Sequence, residues 1–126
     1  MLVDDITVHP KVWGEEHWIV NNGRYCGKKL ILNKGWQCSL HYHKIKEETF
    51  YVASGLVRME LGGELHTLGP GTAVHILPRV LHSFAGIEDS VIFEFSTFHD
   101  EEDSYRIEGR LSGPMLPVVE LALHHG

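Results

Sequence analysis

From Lys28 to Thr97 the chain is a succession of short apolar segments cut by glycine, and this punctuation constrains the fold more than any other feature. Lys28-Lys29-Leu30-Ile31-Leu32 stops at Asn33-Lys34-Gly35, and Gln37 to His43 follows. Glu48 to Ala53 ends at Ser54-Gly55, and Leu56 to Leu61 and Glu64 to Leu68 flank Gly62-Gly63. A two-glycine link suits a hairpin, because primed turns need positive φ. Gly69-Pro70-Gly71 opens onto Thr72 to Leu77, and Leu81 to Ala85 and Ser90 to Thr97 complete the series. Turn signals about every 8 to 12 residues, with no long segment of helical period, predict an all-β barrel or sandwich.

The 126 residues fit one domain, 1–126, with a barrel core at about 26–98 and a loop and tail at 99–126. Residues 98–110 are strongly charged and read as a loop over the barrel. Val118 to Leu123, after Pro114 and Pro117, reads equally as an edge strand or a helical turn, and His124-His125 as a solvated tail. A net charge of −6 argues against nucleic acid or an anionic membrane as partner. No apolar stretch approaches the roughly 20 residues needed to span a bilayer. A disulfide between Cys26 and Cys38, the only two cysteines, is open on sequence alone. The start, Met-Leu-Val-Asp-Asp, is acidic and lacks an apolar run, so two free thiols in a cytoplasmic protein are expected.

Ten histidines are an unusual number for this length. His41 and His43, at i and i+2, share one face if they lie on a strand. Two imidazoles with Glu48 nearby suit a divalent transition metal. The full spacing is Gly35, five residues, His41, one, His43, four, Glu48, six, Gly55. This resembles the first signature of the cupin superfamily at every fixed position. The second cupin signature falls on Gly71 to Gly86 without a gap: Gly71 and His82 match, whereas Leu77, Arg79 and Gly86 stand where proline, glycine and asparagine are usual. The loop at 77–81 is therefore expected to have altered geometry. The resemblance implies a single-domain jelly-roll barrel, the double-stranded β-helix, with His41, His43, Glu48 and His82 as ligands of one Mn, Fe, Co, Ni or Zn ion. Strand alternation puts Phe50 and Val52 on the face of Glu48, and Phe84 on that of His82, so the ligands are expected among apolar neighbours.

Trp13-Gly14 with Trp18, then Tyr25 and Gly27-Lys28, resembles the N-terminal part of type II mannose-6-phosphate isomerases and D-lyxose-isomerase-like proteins. So does Glu94-Phe95-Ser96-Thr97 with the acidic run and Tyr105-Arg106-Ile107-Glu108 behind it. The likeness implies an aldose–ketose isomerase acting on a sugar or sugar phosphate through a metal-stabilised cis-enediolate, and a homodimer, for which the apolar tail Met115 to Leu123 offers a surface. Such a reaction needs a base that moves a proton between C1 and C2. Glu94 and His75 are the candidates; Glu94, if inward, has its pKa raised by desolvation, and if outward is solvated. His75 reads alternatively as a hydrogen-bonded core histidine. Lys28, on the face of Leu30 and Leu32, is a third catalytic candidate or a solvated strand end. Arg79 and Arg106 are candidate clamps for a phosphate or carboxylate, and Trp18 a platform for a sugar ring, unless these are solvated loops and packing. Two other readings use the same ligands. An Fe(II) dioxygenase requires a mostly apolar pocket beyond the metal, and a non-catalytic binding protein requires no acid or base near it.

Overall fold

The computed structural model describes residues 3–125, with side chains through Leu121. Met1, Leu2 and the side chains of Leu123, His124 and His125 lie outside the described residues. Alternation of inward apolar and outward polar side chains drives two antiparallel sheets together over one core. Strands β1 (Thr7–Lys11), β2 (Gly14–Asn21), β3 (Cys26–Leu32), β4 (Trp36–Gln37), β5 (His41–Tyr42), β6 (Glu48–Ser54) and β7 (Val57–Leu61) are followed by β8 (Glu64–Leu68), β9 (Ala73–Ile76), β10 (His82–Gly86) and β11 (Ser90–Ser96). A 3-10 turn (Glu101–Asp103), β12 (Tyr105–Arg106), β13 (Gly113–Pro114) and the helix α1 (Val118–His125) complete the chain. The six-stranded sheet has the order β1-β2-β3-β11-β6-β9. In the seven-stranded sheet β10 is central, with β7 and then β8 on one side and β4 and β5 on the other.

Register decides what faces inward. On β3, β6 and β11 every second residue is buried: Lys28, Leu30 and Leu32; Glu48, Phe50 and Val52; Ile92 and Glu94. Glu94 stands opposite Lys28 on one neighbour and Phe50 on the other, and Ser96 stands opposite Cys26 and Glu48. The polar inward residues therefore gather at one end of the sheet. Leu32, Val52 and Ile92 fill the other end with Val57, Met59, Leu68 and Phe84 from the second sheet. Burying one such side chain contributes about 1.5–3 kcal/mol, so the apolar end stabilises the barrel and leaves the polar end available for chemistry.

Three features depart from the sequence expectation, and a fourth settles an open alternative. The β1–β2 hairpin joins the first sheet, so strand structure begins ahead of Cys26. Gln37 to His43 is not one strand. The ladder breaks at Leu40, which bonds the C-terminal segment instead: its N–H donates to the Arg110 carbonyl (2.9 Å) and its carbonyl accepts from Ile107 (2.9 Å). The 77–81 loop keeps a glycine-like bend, because Arg79 itself takes φ 72°, at a cost of about 1–2 kcal/mol. The tail is a helix after Pro117, with Leu121 fully buried and Val118 and Val119 exposed. Cys26 and Cys38 are free, buried thiols, and among the described residues no helix is long and apolar enough to cross a membrane.

Residues 110–121 cover the outside of the second sheet. Arg110, fully buried, pairs with Glu60 through both terminal guanidinium nitrogens. Leu116 N–H donates to Gln37 Oε1 (2.9 Å). As a result β10 is buried on both faces. Gly55 closes the turn between β6 and β7 at φ 90°, where an added Cβ would lie 2.2 Å from Ser90 Oγ and 2.4 Å from the Asp89 carbonyl. Gly55→Ala is expected to cost about 2 kcal/mol or more through strain and overpacking. Urea denaturation checks this; a loss below about 0.5 kcal/mol would mean that the turn relaxes freely.

Candidate metal centre

His41, at the start of β5, and His82, at the start of β10, are direct cross-strand partners, and His43 lies just past the end of β5. The three rings come together with one nitrogen each, all within 4.8 Å of one another. Each Nδ1 is bonded elsewhere: His41 to the Ser39 carbonyl (2.8 Å), His43 to the Asp103 carbonyl (2.9 Å), His82 to the Val80 carbonyl (2.9 Å). A carbonyl only accepts, so each Nδ1 carries the proton and each Nε2 presents a lone pair. Backbone carbonyls fix metal-binding imidazoles in this way.

Glu48 completes the set from β6. Its Oε1 lies 2.8 Å from His82 Nε2 and 3.7 Å from His43 Nε2. Neither Glu48 Oε1 nor His82 Nε2 makes a hydrogen bond, although both are buried. That follows from the tautomer, since two lone pairs cannot bond each other. Leaving such atoms unsatisfied costs about 1–3 kcal/mol apiece. A cation received by both atoms removes that cost, and three imidazoles with one carboxylate suit a divalent transition ion.

The electrostatics keep the ligands in their binding forms. Burial pushes His41 down to about 3, with repulsion from His82 adding to it. Burial likewise lowers His43. For Glu48 burial acts upward, but the Lys46 ammonium, 3.2 Å from Oε2, holds the carboxyl below its ordinary range.

Beyond the four candidate ligands lies a cavity of about 290 Å³ with one apolar and one charged wall. Trp13, Leu30, Phe50 and Phe84 form the first. On the second, Lys46 is buried between Glu48 Oε2 (3.2 Å) and Glu94 Oε2 (2.8 Å), and its ammonium also meets His99 Nδ1 (2.9 Å). Burial alone would lower the Lys46 pKa; the two carboxylates outweigh it and raise it. Glu94 is 4% exposed and points inward, with Ser96 Oγ also donating to Oε2 (2.8 Å). Lys28, 1% exposed, faces Glu16 Oε1 at 3.4 Å. Arg106 lies at the mouth, 3.9 Å from Glu101.

Of the residues singled out from sequence, His41, His43, Glu48 and His82 converge, and Glu94, Lys28 and Arg106 line the cavity. The others do not reach it. His75 stands opposite Thr49 on β6, whose neighbours Glu48 and Phe50 point inward, so alternation turns His75 outward to bond Thr49 Oγ1 (2.9 Å). Arg79 is exposed, and its backbone N–H is held by the His43 carbonyl (2.6 Å). Trp18 sits behind the wall, its ring 4.3 Å from Lys28 Nζ and its indole N–H donating to Glu16 Oε1 (2.9 Å). Four residues not singled out prove central: Glu16, Lys46, His99 and Asp103. Only Lys46 had a sequence signal, standing two residues before Glu48.

A cupin-domain profile matches residues 29–98. The D-lyxose/D-mannose isomerase of Thermosediminibacter oceani is 31% identical over 80% of this chain and 70% of its own length. Among solved structures, the nucleoside dehydratase Pac13 of Streptomyces superposes with a TM-score of 0.72 at 13% identity, over 85% of this chain and 87% of its own. An RmlC-like cupin of Shewanella frigidimarina gives 0.71 at 16% identity, over 77% and 87%. These two likenesses concern the fold alone.

His41 and His43 are neutral in the folded chain at pH values where an unfolded imidazole, with a pKa of about 6.5, takes up a proton. The metal-free protein is therefore expected to hold its full stability above about pH 6.5 and lose it as pH falls toward the lowered folded values. His41→Asn is expected to flatten that slope. Denaturation midpoints at pH 7 and pH 5 check this, and identical slopes for the two proteins would contradict it.

Proposed function

We propose that this chain, which belongs to the cupin family, is a metal-dependent aldose–ketose isomerase acting on a small sugar. The observation that carries the reading is the buried Glu94–Lys46 pair beside the four-ligand cluster. A proton-transfer reaction needs a carboxylate close to the electrophile, and a pure binding site has no use for one. The 31% identity to a sugar isomerase supports the same reading.

His41, His43, Glu48 and His82 would hold the ion, which when bound supplies an electrophile for the sugar's carbonyl and neighbouring hydroxyl oxygens. Glu94 takes the proton from C2 and returns it to C1, while the hydroxyl proton passes from O2 to the neighbouring O1, so that C1 gains a hydroxyl and C2 becomes the carbonyl. Glu94 Oε2 is occupied by Lys46 and Ser96, which leaves Oε1 as the basic atom. Lys46, 2.8 Å from Oε2, aims that carboxylate. Trp13, Phe50 and Phe84 exclude bulk water from one side of the reacting carbons. Lys28 and Glu16, an adjacent donor and acceptor on the opposite wall, bind the remaining hydroxyls. An Fe(II) dioxygenase fits less well, because one of the two cavity walls beyond the candidate ligands carries paired charges. A homodimer belongs to the same proposal, supported by the exposed Val118 and Val119 of α1, and sedimentation equilibrium checks it.

The isomerase test is incubation of metal-loaded protein with a panel of aldoses and aldose phosphates in D₂O. Ketose formation with deuterium at C1 or C2 is expected, and absence of both with every metal would sink the reading. Glu94→Gln is expected to lower kcat by about 10²–10⁴-fold while leaving the bound metal in place. A Glu94→Gln protein with unchanged kcat would remove Glu94 as the base.

A further inference from the structure

We infer that Asp103 is a positioning residue that sets His43 and Lys46 together, and that the acidic segment around it holds the metal centre in its binding geometry. The inference rests on the metal reading above. The turn at residues 43–48 carries two ligands and Lys46, yet it has no apolar anchor of its own. Lys44, Ile45 and Glu47 are all exposed, Ile45 at 80%. What holds the turn arrives from sixty residues away. Asp103 Oδ1 accepts the Lys44 N–H (2.9 Å) and Oδ2 the Lys46 N–H (3.0 Å), while the Ile45 N–H is shared between them (3.3 and 3.1 Å). Three consecutive amides converging on one carboxylate form an anion nest. The backbone carbonyl of the same residue accepts His43 Nδ1–H (2.9 Å), with Ser104 Oγ as a longer second contact (3.5 Å).

One buried residue thus fixes the turn by its side chain and the tautomer of His43 by its backbone. Asp103 is itself held in place. Asp100 caps the 3-10 turn by accepting the Glu102 N–H (3.0 Å), and Asn21 clamps His99 through both its N–H (2.8 Å) and its carbonyl (3.0 Å). Without the carboxylate, the three amides turn to water, and the backbone of the turn is tethered only at its ends, at His43 by the Arg79 N–H and at Glu47 by Thr97. His43 and Lys46 then shift together.

Titration with Co²⁺ alone, followed by visible absorption and equilibrium dialysis, tests this without reference to turnover. Asp103→Ala is expected to weaken Co²⁺ binding by about 10- to 100-fold and to speed hydrogen exchange at amides 44–46. Asp103→Asn, which keeps one acceptor oxygen, is expected to fall between Asp103→Ala and the unaltered protein, and it serves should the alanine variant fail to fold. Glu108→Ala removes the same charge from an exposed site and is expected to leave affinity unchanged. A folded Asp103→Ala protein with unaltered affinity and spectrum would overturn the inference while leaving the metal reading intact. If the unaltered protein binds no divalent ion, the metal reading fails and this inference with it.

Discussion

Glu48 Oε1 and His82 Nε2 are 2.8 Å apart in a buried site and share no proton. Much of the barrel's polar end is arranged to maintain that contact. His82 cannot donate, because its proton is committed to Val80; Glu48 cannot donate, because the Lys46 ammonium holds it ionised. Two facing lone pairs repel unless positive charge lies between them, and the remaining ligands are disposed to share that charge. The same reasoning explains why Lys46 is tolerated inside the protein. A buried ammonium is costly alone, but here it offsets two carboxylates of which only one can be neutralised by a bound cation.

The division of the barrel into an apolar and a polar end makes this affordable in stability. Leu32, Val52, Ile92, Val57 and Met59 are essentially inaccessible to solvent and hold the sheets together without help from the site. On the outside, the Arg110–Glu60 pair and Leu121 fasten the C-terminal segment, which in turn braces Leu40 and the broken strand leading to His41. The four candidate ligands thus stand on elements anchored from both faces.

How legible this was in the sequence depended on locality. Strand alternation and glycine spacing bring His41, His43 and Glu48 within reach of one another, and the second glycine-bounded segment supplies His82. The inward turn of Glu94 and Lys28 also follows from period 2 once neighbouring apolar residues are placed. Lys46 was legible by the same rule, being two residues from Glu48, but a lysine between charged neighbours looks like a solvated turn. Asp103 and His99 were not legible. Their roles come from contacts across 53 to 60 residues of chain, and an acidic run carries no mark of which carboxylate faces inward. His75 failed for a different reason, since the register of β9 against β6 fixes its face and that register is not readable from a four-residue strand. Arg79 shows that a turn can survive loss of its glycine when a hydrogen bond, here to the His43 carbonyl, helps hold the left-handed residue.

The most direct test of the account is anomalous diffraction from crystals soaked or grown with Co²⁺ or Zn²⁺. The account predicts a single strong peak bonded to Nε2 of His41, His43 and His82 and to Glu48 Oε1, with each Nδ1 still on its backbone carbonyl. An empty site in which His82 has changed tautomer to donate to Glu48 would contradict it.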